Sequence, residues 1–65
     1  MTNRDVMALA AISEEDKELA TSIADKAGWT PEETAKRYIL ACALKRPIPL
    51  VFYELLEEAA GDKDG

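Results

Sequence analysis

The run Gly28-Trp29-Thr30-Pro31-Glu32-Glu33 constrains this chain more than any other six residues, because it ends one helix and starts the next. Glycine takes the left-handed conformation that closes a helix at no steric cost, and an apolar residue after it folds back on the last turn. Thr30 caps the following helix, Pro31 fills the first position, where no amide is needed, and Glu33 reaches back to the Thr30 amide as a capping box. Ser13 before Glu14-Glu15-Asp16 has the same character: a hydroxyl for the free amides and three acids for the positive helix end. Between these marks Leu19, Ile23 and Ala27, with Ala20 and Ala24, recur at helical spacing and predict a helix over 14–27. The next helix runs from 30 through Ala35, Tyr38, Ile39, Cys42 and Ala43. Leu40, Ala41 and Leu44 make its second half apolar all round, which predicts the central helix, buried from several sides. Lys45 and Arg46 suit its negative end, and Pro47 stops it.

Pro47-Ile48-Pro49 reads as a stiff corner. Pro49 then serves as the first position of another helix, with Phe52, Leu55, Leu56 and Ala59 as a stripe, Glu54, Glu57 and Glu58 opposite, and Gly61 as the stop. The N-terminal segment Val6 to Ile12 supports two readings. Thr2 and Asp5 can cap a helix there, giving an all-α bundle with residues 3–11 helical; a strand would instead place Met7, Leu9 and Ala11 on one face and Val6, Ala8, Ala10 and Ile12 on the other. Either way the fold is mainly α, with a single small domain over 1–61 and a flexible tail over 62–65.

Composition bears on oligomeric state and on chemistry. The 65 residues hold 48% hydrophobic side chains, but 11 of these are alanines, so bulky apolar groups are scarce for a core this small. A second copy is the expected source of the missing burial, and a homodimer the simplest result. The chain has no histidine and a single cysteine, which removes the common proton shuttle, the intrachain disulfide and multi-cysteine zinc sites. No metal, cofactor or catalytic constellation is expected: acids clustered at 14–18 serve a helix dipole, and Cys42 lies in the most apolar stretch, as a buried thiol does. The lone thiol fits a reducing cytoplasm, and apolar runs of seven residues, Val6 to Ile12 and Tyr38 to Leu44, are too short to cross a membrane.

An apolar N-terminal segment, a Ser-Glu-Glu cap, a helix with Leu19, Ile23-Ala24 and Ala27, then Gly28, an apolar residue, a Thr cap and a second apolar helix: over Val6 to Leu44 this resembles the ribbon-helix-helix proteins of the Arc/MetJ type. The resemblance implies that strands of two chains pair antiparallel and that their helices intertwine, with Ile12, Ile23, Tyr38, Ile39 and Cys42 in the dimer core. It also implies a DNA-binding repressor, whose base readers would be Met7, Leu9 and Ala11, with Thr30 in the phosphate turn and Arg4 as a phosphate contact. Those three readers carry no group that hydrogen-bonds a base edge, Pro31 has no amide to offer, and Glu32 and Glu33 repel a phosphate. Lys36-Arg37 and Lys45-Arg46 do not form one stripe, and 47–65 holds five acids to one base. The expected function is therefore a non-enzymatic regulator that binds another protein, in the manner of antitoxins or phage inhibitors of host enzymes. Met7, Leu9, Ala11 and Tyr53 would be its partner-binding residues, and Trp29 the anchor of the helix turn.

Overall fold

The structure, a computed structural model, describes residues 1–62. Four helices follow one another: α1 (Asn3–Ala8), α2 (Glu14–Ala27), α3 (Pro31–Leu44) and α4 (Ile48–Asp62). The mainly α fold stands. The N-terminal strand does not, since residues 3–8 are helical and no strand occurs among the described residues. The reason is local. Thr2 Oγ1 accepts from the Asp5 amide at 3.2 Å and the Asp5 carboxylate accepts from the Thr2 amide at 2.9 Å, a complete capping box. The helix it starts satisfies its own backbone, whereas a strand needs a neighbour's edge. Asn3, Val6, Met7 and Ala10 are buried, spaced i, i+3, i+4, i+7, so Met7, expected to face outward from a strand, is instead fully buried in the core.

α2 has the bounds its caps predict. Ser13 Oγ accepts from the Asp16 amide, Gly28 is left-handed with φ 73°, and the Trp29 amide donates to the Ala24 carbonyl at 3.0 Å, closing a Schellman turn. The next cap is also as expected: the Glu33 amide donates to Thr30 Oγ1 and the Thr30 amide to Glu33 Oε1, each at 3.2 Å, with Pro31 at the first position. α3 ends on a second Schellman turn, in which Lys45 is left-handed with φ 57° and the Arg46 amide donates to the Ala41 carbonyl. α4 begins at Ile48, one residue before Pro49, and continues past Gly61 to Asp62, so Gly61 is not its stop. Of the tail expected over 62–65, Asp62 closes α4 and 63–65 lie outside the described residues.

The core belongs to α4 more than to α3. Phe52 is fully buried, with Ile48 and Val51 beside it and Leu55 half-buried, a stripe at i, i+3, i+4, i+7. The Trp29 ring meets Phe52 edge-on, centroids 5.2 Å apart, while the Arg37 guanidinium covers Trp29 at 4.4 Å. α4 packs on α2 and α3, α1 packs on the same two, and α2 and α3 hardly touch. α3 contributes only Thr34 and Ala41 as buried residues, with Tyr38 half-buried between them. Its second half, expected to be surrounded, faces out: Ile39, Leu40, Cys42, Ala43 and Leu44 are exposed, so Cys42 is no buried thiol. An apolar sequence all round a helix demands several neighbours, and a chain this short supplies them on one side. No helix among the described residues is long and apolar enough to cross a membrane.

One buried polar residue joins three parts of the fold. The Asn3 amide donates to Asp25 Oδ1 at 2.9 Å and to the Trp29 carbonyl at 3.0 Å, and its oxygen accepts from the Thr34 hydroxyl at 2.6 Å. Replacing Asn3 by Ala strands a fully buried hydroxyl as well as losing the three bonds, and should cost about 2–3 kcal/mol in urea unfolding followed by circular dichroism. Lys45→Gly should act in the opposite direction, adding about 1 kcal/mol in the same measurement, because glycine removes the steric cost of the left-handed turn.

Candidate protein-interaction surface

The buried stripes of α2 and α4 decide which side chains are left outside the core. On α2 the buried band is Ala20, Thr21, Ile23 and Ala24, and Leu19 points about 120° from its centre, so it is half-exposed instead of packed. On α4 the core stripe leaves Leu50, Tyr53 and one edge of Leu56 facing the α2 side. Together these residues wall an open groove of about 500 Å³. Leu19 and Ile23 stand along one side, Leu50, Tyr53 and Leu56 along the other, Pro47 and Pro49 at the α3–α4 corner, and Asp16, Ser22 and Lys26 supply its polar groups. Pro49 removes an amide at a helix start, where no partner is needed, and its buried ring stiffens that corner. Tyr53 is 51% exposed and Leu50 47%, high values for an aromatic and a leucine that share a concave wall.

A second apolar surface lies on the outer side of α3. Ile39, 64% exposed, is joined there by Leu40, Ala43 and Leu44, with Lys36 one turn before them and Lys45 just after. Arg46, by contrast, is committed to Glu54, its two guanidinium nitrogens facing the two carboxylate oxygens across the α3–α4 corner.

The structure separates the expected partner-binding residues. Met7 is in the core, Leu9 and Ala11 are exposed just after α1 and outside the groove, with Leu9 77% exposed, and only Tyr53 lies in the groove. The expected dimer core divides in the same way. Ile23 is buried and Ile12 and Tyr38 are half-buried against the chain's own core, whereas Ile39 and Cys42 are exposed. Burial foremost, then the neighbouring Cys42, pushes the Tyr38 phenol up. Of the residues assigned to nucleic acid, Arg4 is exposed and lines a shallow cleft with Glu14, Lys17 and Glu18. Thr30 is engaged: its amide and hydroxyl both donate to Glu33 Oε1 at 3.2 Å, so a carboxylate occupies the turn where a phosphate would sit. Among the described residues no cluster of His, Cys, Asp or Glu could hold a metal ion.

Leu19, Leu50, Leu40 and Leu44 were not among the expected contact residues. The i, i+3 pair Leu50 and Tyr53 is legible beside the Phe52 stripe. Leu19 is hidden because alanines, not large residues, define the buried face of α2. Comparison with known proteins finds no matching family model, no matching curated protein and no matching solved structure. The surface itself is therefore the ground for a functional reading.

The Thr30 cap makes a pH-dependent contribution. Bonds from the Thr30 amide, then from its hydroxyl, hold the Glu33 carboxyl below the ordinary glutamate value of 4.5. A carboxyl whose folded value is depressed stabilises the fold fully above its unfolded value, and that contribution is lost as pH falls through the lower, folded one. A carbon-detected titration should give Glu33 a midpoint under 4.5, and Thr30→Ala should raise it towards that value while lowering stability by about 1 kcal/mol.

Proposed function

We propose that this chain is a small non-enzymatic regulator that works by binding protein, with the α2–α4 groove as its docking surface for an apolar helix. The observation that carries the reading is the groove itself, a concave wall on which Leu19, Leu50 and Tyr53 stay about half exposed. Two rows of apolar side chains at helical spacing, one on each helix, suit an amphipathic helix that seats an i, i+4, i+7 set of anchors. Exposed apolar surface of this kind, rimmed by charge, marks interaction sites in soluble proteins. Homodimer formation fits the same need, since bulky apolar residues are few and several of them lie outside the core.

A capped 14-residue helix with leucines at i, i+4 and i+7 and lysines elsewhere, titrated into the isotope-labelled chain, serves as a probe. Saturable shifts should map to α2 and α4 around Leu19, Ile23, Leu50 and Leu56, with a Kd on the order of 100 µM or tighter. Tyr53→Asp should weaken binding at least about tenfold. Shifts scattered over the whole surface, or none up to about 1 mM peptide, would remove the groove as a docking site.

A further inference from the structure

The chain carries an exposed apolar helix face of its own, on α3. We infer that α3 of a second copy docks in the α2–α4 groove, so that two copies exchange α3 faces in a reciprocal dimer. The inference rests on the docking role proposed above and names the occupant.

Two unsatisfied surfaces of opposite character support it. The outer side of α3 is a convex apolar ridge, Ile39, Leu40, Ala43 and Leu44, which α1 and α4 leave uncovered because they grip only the opposite side through Thr34, Tyr38 and Ala41. The groove is the concave counterpart on the same molecule. Both expose bulky aliphatic groups to water.

Charge points the same way. The helices that wall the groove are acidic: α2 carries five acids and two bases, and α4 carries four acids and no base. Residues 31–46, which hold the ridge, carry two acids and four bases. With Lys36 exposed beside the ridge and a net charge of +2 over 31–46, that segment is attracted to helices of net −3 (α2) and −4 (α4), whereas two copies of the acidic helices, or two of the basic segment, repel. That asymmetry favours ridge-in-groove over ridge-on-ridge. A two-fold axis repeats the helix-in-groove contact, with residue i meeting j and j meeting i, and doubles the area buried.

Sedimentation velocity on the full chain tests the arrangement, using Ile39→Glu on the ridge and Leu50→Glu in the groove. Both positions are exposed, so each variant should keep the helical circular dichroism of the parent. The parent should sediment at twice the 7.1 kDa chain mass in the range of about 10–100 µM, and each variant alone should be monomeric. An equimolar mixture should regain association, weaker than the parent's, because Ile39→Glu retains an intact groove and Leu50→Glu an intact ridge. A parent that is monomeric up to about 1 mM would overturn the inference. So would a Leu50→Glu variant that dimerises like the parent, the mark of ridge-on-ridge pairing, or a mixture that stays monomeric. If the parent is monomeric and the peptide probe still shifts the groove resonances, the docking role stands without self-association; if neither occurs, both readings fall.

Discussion

The arrangement of the first three helices depends on Asn3. Its amide and carbonyl tie the first turn of α1 to the last turns of α2, to the Trp29 carbonyl and to Thr34 on α3, all from a buried position. An unpaired amide at that depth would cost several kcal/mol, so the network is satisfied only when the helix ends meet in this geometry. The bonds span 22 to 31 residues of sequence, which lets a helix of six residues organise partners much longer than itself. Trp29 completes the junction from the other side, its ring held between the Phe52 edge and the Arg37 guanidinium.

Placing α1 at that junction has a cost elsewhere. α1 and α4 both contact α2 and α3, and they hold apart two helices that a Gly-Trp-Thr turn brings close in sequence. The observed packing buries Met7 and Phe52 and leaves Leu19 and Ile39 outside. The exposed ridge and the exposed groove are thus two consequences of one choice of packing.

Helix ends were legible in the sequence, and helix faces were only partly so. Ser13, Gly28 and Thr30-Pro31-Glu32-Glu33 give the bounds of α2 and the start of α3 because caps act within one turn, where no distant residue competes. The N-terminal segment was ambiguous, since Val6 to Ile12 is apolar under either period; the Thr2–Asp5 box was the local signal for the helix, and the resemblance to ribbon-helix-helix proteins pointed to the strand instead. Asn3 was missed entirely: one asparagine near a chain start has no pattern, and its three partners lie at distances that no periodicity reports. For α3 the pattern was legible and its meaning was not. Apolar residues all round a helix state a demand for neighbours without saying whether the same chain meets it.

That distinction decides how the surface is understood. In a chain with 11 alanines among its apolar residues, every bulky side chain left in water is a large share of the available burial. Natural surfaces carry single exposed leucines freely, as Leu9 is here, but Ile39, Leu40 and Leu44 gather on the convex side of α3 and Leu19, Leu50 and Tyr53 in the concave groove between α2 and α4. Scattered exposure carries no geometry. A ridge and a groove with opposite electrostatic bias do, because association that covers one covers the other, and neither needs the core to repack. The fold is complete in its polar network, with every buried side-chain polar atom among the described residues partnered, and incomplete only in apolar cover. Such a surface gains from binding by apolar contact, with charge setting which face meets which.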